Sequence, residues 1–213
     1  MKKIYLLSII LALFLFLLSF RIIVYNTELY NDQFLKDDTY SRYNQTFVNN
    51  FSLNLINYLQ AKEELEDYYN EREIIHLKDV KELIDNTIRL LYLVSFILIL
   101  IFSYLIYKEK YKEIGKLFYY SGLINLIIIL VLTVFFLTNF QNGFIIFHKI
   151  FFTNDYWILS NDSLLVNIFT EYFFMQMLKL ILLIVLSLSI LFILFGKIFV
   201  KHMMSAENSK KDL

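Results

Sequence analysis

The chain has 213 residues, 58% of them hydrophobic and 18% aromatic, and it contains neither cysteine nor proline. That apolar share is more than an ordinary soluble domain buries, so the excess must face lipid. Twenty basic residues balance twenty acidic ones, so net charge selects no nucleic-acid partner, and the missing cysteines exclude disulfides, thiol nucleophiles and Cys-ligated zinc.

The first apolar run covers residues 4–24 behind Lys2 and Lys3. It has the basic flank of a secretory signal, but it is too long and no small-residue cleavage site follows, so it reads as an uncleaved anchor. Three further runs, 90–107, 117–140 and 173–195, approach the roughly 20 residues that a helix needs to cross a hydrocarbon core of about 30 Å. The expected fold is an all-α membrane protein with four transmembrane helices and a mainly helical extracytoplasmic cap. Helix 1 occupies 1–24, the cap 25–87, helix 2 88–108 and helix 3 117–140. An outer interfacial segment follows in 141–172, then helix 4 in 173–200 and a cytoplasmic tail in 201–213.

Basic residues orient the bundle, because Lys and Arg near helix ends and in short loops stay cytoplasmic. Lys2 and Lys3, the loop residues Lys108, Lys110, Lys112 and Lys116, and Lys197, Lys201, Lys210 and Lys211 mark one side, whereas the short segment after helix 3 holds only Lys149. Both termini are therefore expected in the cytoplasm. The cap carries 13 acidic against 6 basic residues, which suits a solvated external domain rather than a surface that binds anionic lipid. Within it, Phe47, Phe51, Leu55 and Leu59 recur at helical spacing and predict an amphipathic helix ending at the acidic run 63–67. Asp79 followed by Glu82 has the spacing of an N-cap with a third-position carboxylate, which predicts that the helix of the second span starts there, with His76 just ahead of it.

Three histidines are present. His202 follows the fourth span on the cytoplasmic side, while His76 and His148 share the outer side. Helical spacing would surround His148 with Phe144, Ile145, Phe151 and Phe152; desolvation there favours a neutral imidazole able to accept a proton near neutral pH. The simpler reading is an aromatic belt at the membrane surface with a packed histidine. Residues 151–174 are aromatic but interrupted by Asp155, Asp162 and Glu171, which suits a segment at headgroup depth anchored by Trp157 and tyrosines. Acidic groups at that depth need partners, so Asp155 or Asp162 is expected to orient a histidine or to answer Arg72, Arg89 or Lys179. Arg21, Arg89 and Lys179 themselves fit snorkelling to lipid phosphate. The Gly-x-Ser-x-Gly elbow, the phosphate-binding glycine loop and His-Glu-x-x-His are all absent.

Two stretches, Glu71-Arg-Glu-Ile-Ile-His-Leu-Lys-Asp-Val-Lys81 and Phe147-His-Lys-Ile-Phe-Phe-Thr-Asn-Asp-Tyr-Trp157, with Asp162-Ser-Leu-Leu165 and Phe169 after the second, resemble the signature stretches of the bacterial lipoprotein intramolecular transacylase family. Leu55-Ile-Asn-Tyr-Leu59 is similar to that family's cap helix. Asn154 stands where the family pattern usually has glycine, and Thr170 where proline often follows the phenylalanine. The resemblance implies a multi-pass protein of the bacterial plasma membrane with an outward-facing active site, membrane lipids around it and no nucleic-acid partner. The implied substrate is the diacylglyceryl-modified amino terminus of a lipoprotein. One acyl chain moves from the sn-2 ester to the cysteine's own α-amino group, with no metal and no cofactor. By motif, His76 and His148 are the catalytic pair, with Arg72, Asp79, Asp155, Trp157 and Asp162 as supporting residues. Two rival readings remain open at this level: a non-enzymatic membrane scaffold, and a metal-dependent hydrolase using His76, His148 and Asp155. A shared role in proton transfer requires the two histidines within about 10 Å, in hydrogen-bond reach directly or through a water.

Overall fold

A computed structural model describes residues 2–209. Lys210 and Lys211, counted above for orientation, lie outside the described residues. Among these the chain is helical without strands: α1 Lys2–Val24, α2 Thr27–Lys36, α3 Thr39–Arg42, α4 Gln45–Leu59, α5 Glu71–Tyr107, α6 Tyr111–Thr138, α7 Phe140–Phe151, α8 Leu164–Ile168 and α9 Glu171–Ser209. Four of them, α1, α5, α6 and α9, are long and apolar enough to cross a membrane. At about 1.5 Å per residue, the 37 residues of α5 far exceed the thickness of a hydrocarbon core. Its apolar part is 90–107, whereas residues 71–89 carry nine charged side chains.

The residues fold as two compact units. One takes Arg89–Val134 with α1 up to Phe20 and α9 from Ile181. Leu11, Leu17, Leu91, Val94, Leu98 and Leu117 are buried at its centre, while Leu93, Phe96, Leu100, Ile127, Leu130 and Leu194 stand exposed. Apolar side chains inside and out are what a lipid solvent permits. Without a hydrophobic force between helices, close approach does the packing, so small residues line the seam. A Cβ on Gly196 would lie 2.5 Å from the Gly115 carbonyl oxygen, and one on Gly122 would lie 2.6 Å from that of Ser189. Buried serines are satisfied within their own helices: Ser8 Oγ donates to the Ile4 carbonyl and Ser189 Oγ to that of Val185.

The second unit takes Arg21–Ile88 and Phe135–Leu180. Its core is aromatic. Phe34 and Phe51 are completely buried; Phe34 stacks on Phe173 at 5.5 Å between ring centroids, and Phe51 packs on Tyr69 at 4.6 Å. The predicted cap helix is present as α4, with Phe51, Leu55 and Leu59 buried and Phe47 half-buried, but it ends at Leu59, short of the acidic run 63–67. Asparagines cap the short helices, since a side-chain oxygen can take an otherwise unpaired first-turn N–H: Asn26 accepts from Leu29 N, Asn44 from Phe47 N and Asn139 from Asn142 N. Buried Asn54 holds the chain after α4 by donating to the Glu64 carbonyl and accepting from Glu66 N. Gly143 lets α7 lie against Phe135 and Phe136, because a Cβ there would come within 2.8 Å of the Phe136 ring.

Candidate active site

The predicted helix start at Asp79 is incorrect: α5 begins two turns earlier, and His76 lies inside the helix rather than ahead of it. A capping box at Asn70 and Glu73 sets the start. Asn70 Oδ1 accepts from Glu73 N at 3.0 Å, and Glu73 Oε2 accepts from Asn70 N at 2.8 Å, which pairs two N–H groups that the helix itself cannot satisfy. Asp79, freed from capping, sits one turn beyond His76 and accepts from Asn154 Nδ2 at 2.9 Å through Oδ2.

His148 lies on the last turn of α7, and both histidines are buried, His76 at 8% exposure and His148 at 6%. Their ring centroids are 6.0 Å apart. Phe152 covers both, at 5.4 Å from His76 and 5.5 Å from His148. Phe144 at 4.2 Å, Trp157 at 5.0 Å and Phe147 at 5.5 Å also pack against His148. Of the four neighbours expected from helical spacing, Phe144 and Phe152 make that contact, whereas Phe151 turns outward onto Phe147.

Hydrogen bonding assigns the tautomer of His148. Its Nδ1 lies 2.7 Å from the Phe144 carbonyl oxygen; a carbonyl only accepts, so Nδ1 carries the proton and Nε2 keeps its lone pair. Burial lowers the affinity of His148 for a second proton, partly offset by that carbonyl, which favours the charged ring. Burial pushes His76 down to about 4, with the neighbouring His148 acting in the same direction and Asp79 against it. His76 Nδ1 is buried with no hydrogen-bond partner among the described residues. Such an atom is costly to leave unpaired unless something binds there.

The charged half of α5 grips the loop that follows α7 at three points. Arg72 Nε donates to the Ile158 carbonyl at 2.9 Å and its Nη2 to the Asp155 carbonyl. Asp79 holds Asn154, and Glu73, 1% exposed, accepts from Ser163 Oγ and, at 3.2 Å, from Leu165 N. Ser163 also caps α8. Trp157, which faces His148, lies between the tied points.

Of the predicted supporting residues, Arg72, Asp79 and Trp157 are thus part of one assembly. Asp155 contributes its backbone carbonyl, not its carboxyl group, which is exposed; Asp162 is exposed too, held below the usual carboxylate range by a hydrogen bond from Ser160 and by its own backbone. Neither aspartate meets a histidine through its side chain, so the expected carboxylate–histidine pairing is absent among the described residues. No group of three His, Asp or Glu side chains placed to hold a metal occurs among the described residues either. His202 is exposed near the carboxy-terminal end of α9. Sequence reading missed Glu73, although the Asn70-x-x-Glu73 pattern signals its cap. The two departures from the family pattern have local reasons: Asn154 Oδ1 accepts from Tyr156 N while its amide reaches Asp79, and Thr170 Oγ1 caps α9 by accepting from Phe173 N and donates to Asp37.

Comparison with known proteins identifies the family and the fold. The family model described as "Lipoprotein intramolecular transacylase Lit" matches residues 5–174. A solved structure of the membrane-integral lipoprotein intramolecular transacylase Lit from Bacillus cereus is similar, with a TM-score of 0.85 and 25% identity over 96% of this chain and 97% of that one. Two single-histidine variants of that protein, one to arginine and one to alanine, share the fold at TM-scores of 0.80 and 0.78, with 24% and 23% identity over 96% of this chain and 94% and 95% of theirs. No curated sequence matches significantly. The chain therefore belongs to the Lit family of lipoprotein intramolecular transacylases, and is a multi-pass membrane acyltransferase.

Proposed function

We propose that this acyltransferase moves an acyl chain from the sn-2 ester of an S-diacylglyceryl cysteine to the α-amino group of the same cysteine, at a site facing outward with both termini in the cytoplasm. The product is a lyso-lipoprotein, N-acylated and monoacylglyceryl. The observation that carries the reading is the buried pair itself: two imidazoles 6.0 Å apart, one with a lone pair assigned to Nε2 by its carbonyl bond and the other with an unpaired Nδ1.

An α-amino group titrates near pH 8 and must lose a proton before it attacks. His148 Nε2 accepts that proton. The nitrogen then attacks the ester carbonyl carbon, forming a C–N bond and an oxyanion. Collapse breaks the C–O bond to glycerol; the alkoxide gains a proton as the attacking nitrogen gives up its second one, so that an ammonium substrate releases one proton to water per turnover. His76 stabilises the oxyanion or donates to the departing oxygen. Nucleophile and ester belong to one molecule, so folding them together replaces an encounter of two substrates, and effective molarities in such reactions reach about 10⁵–10⁸ M. Burial serves the same end, because it keeps both rings neutral and water away from the ester.

Mass spectrometry of lipoprotein amino termini tests this in cells expressing wild type, His76→Ala, His148→Ala and His202→Ala. Lyso form is expected with wild type and His202→Ala only. Lyso form produced by either of the other two variants refutes the two-histidine mechanism.

A further inference from the structure

We infer that Asp79 is the anion that receives the substrate's α-ammonium group. The inference rests on the proposed reaction only for the identity of that substrate. Asp79 follows His76 by three residues on α5, which puts the two side chains on one helix face a turn apart, and its charge acts on the His76 ring. Asn154 Nδ2 holds Oδ2 at 2.9 Å, fixing the carboxylate and leaving Oδ1 for another donor.

No cation answers this carboxylate among the described residues. Arg72 is committed to the carbonyls of Asp155 and Ile158, and Lys81 lies over the Tyr58 ring at 4.1 Å. The site therefore sets one half-buried negative charge a helical turn from the buried His76 ring. A charge in that position favours a positive ligand, and it is a costly feature unless one arrives. The substrate brings such a group: near neutral pH its amino terminus is largely ammonium, with three N–H donors for Oδ1 and an imidazole nitrogen.

When one ammonium N–H bond breaks and an imidazole N–H bond forms, the positive charge moves from substrate to ring, and no other bond changes. The amide product carries no charge, so the contact that holds the substrate is gone once transfer is complete. Asp79 thus separates substrate from product by charge, and it rejects amino termini that are already acylated.

The test is a binding measurement that involves no turnover. The probes are two short cysteine peptides bearing an S-dialkylglyceryl diether, which has no ester to transfer, one with a free amino terminus and one N-acetylated. Affinities are measured on the purified full-length protein in detergent. Wild type is expected to bind the free amine about tenfold more tightly than the acetylated probe, as charge pairing in a partly desolvated site allows. Asp79→Asn keeps an oxygen for Asn154, so the acetylated probe should bind as before while the ratio falls to about 1. A ratio that persists in Asp79→Asn, or its absence in wild type, overturns the inference. Either result leaves the histidine mechanism standing, because that mechanism fails only if His76→Ala or His148→Ala makes lyso form.

Discussion

Glu73 offers the sharpest test of how the site is held, because it touches neither histidine. Its carboxyl group is 1% exposed and accepts from Asn70 N, Leu165 N and Ser163 Oγ. Each buried donor left without an acceptor costs about 1–3 kcal/mol. Glu73→Ala strands all three and leaves a cavity, for a total of about 3–5 kcal/mol, since such losses are not fully additive. Glu73→Gln keeps Oε1 for Ser163 and Leu165 but turns an amide toward Asn70 N–H, for about 1–3 kcal/mol. Ser163→Ala removes one donor together with the α8 cap, for about 1–2 kcal/mol. Thermal unfolding in detergent should therefore order the proteins wild type, Ser163→Ala and Glu73→Gln together, then Glu73→Ala. Transacylation should fall along the same order at temperatures where all are folded, about tenfold or more for Glu73→Ala, because a displaced 154–163 loop carries Trp157 away from His148 and small misplacements are expensive in rate. If Glu73→Ala unfolds and reacts like wild type, the carboxyl group does not clamp the loop and the reasoning is wrong.

The histidines predict a stability that depends on pH. His76 is held at about 4 in the folded protein against an ordinary value near 6.5, and burial lowers His148 as well. Between those limits the unfolded chain binds more protons, so stability is unaffected above about pH 6.5 and falls as pH drops toward 4, by about 3 kcal/mol for His76 alone. Apparent unfolding temperatures at pH 7.5 and 4.5 should differ more for wild type than for His76→Leu; equal differences would rule out a buried neutral His76. At Ala61, φ is 55°, the left-handed turn that ends α4 with Lys62 N donating to the Asn57 carbonyl. Glycine suits that conformation, so Ala61→Gly should raise stability by up to about 1 kcal/mol, and a lowered unfolding temperature would contradict it.

What the sequence disclosed, and what it hid, follows from the range of the interactions concerned. The four spans were legible because an apolar run of span length announces itself without knowledge of its neighbours. The surroundings of His148 were half legible for a related reason: Phe144 is fixed by the helical period and Phe152 sits at the helix's C-cap, whereas Trp157 arrives from an irregular loop. The start of α5 was misread because Asn70-x-x-Glu73 and Asp79-x-x-Glu82 are equally good capping patterns on local grounds. The choice between them is made by Ser163 and Leu165, about ninety residues further on. Arg72 was expected to find a carboxylate and instead binds two backbone carbonyls, acceptors that every residue has and no pattern marks.

That same dependence on distant ties bears on where activity is vulnerable. Residues 153–163 form no regular helix, so no ladder of backbone hydrogen bonds fixes their course, and their position rests on Arg72, Glu73 and the Asp79–Asn154 bond. All three anchors lie within three turns of a single helix, the one that also presents His76. A small rotation or fraying of that helix start would therefore move one histidine directly and the wall of the other through the loop. The capping box at Asn70 and Glu73 is for this reason more than a helix terminus: by fixing where α5 begins, it fixes the register in which the two buried histidines meet.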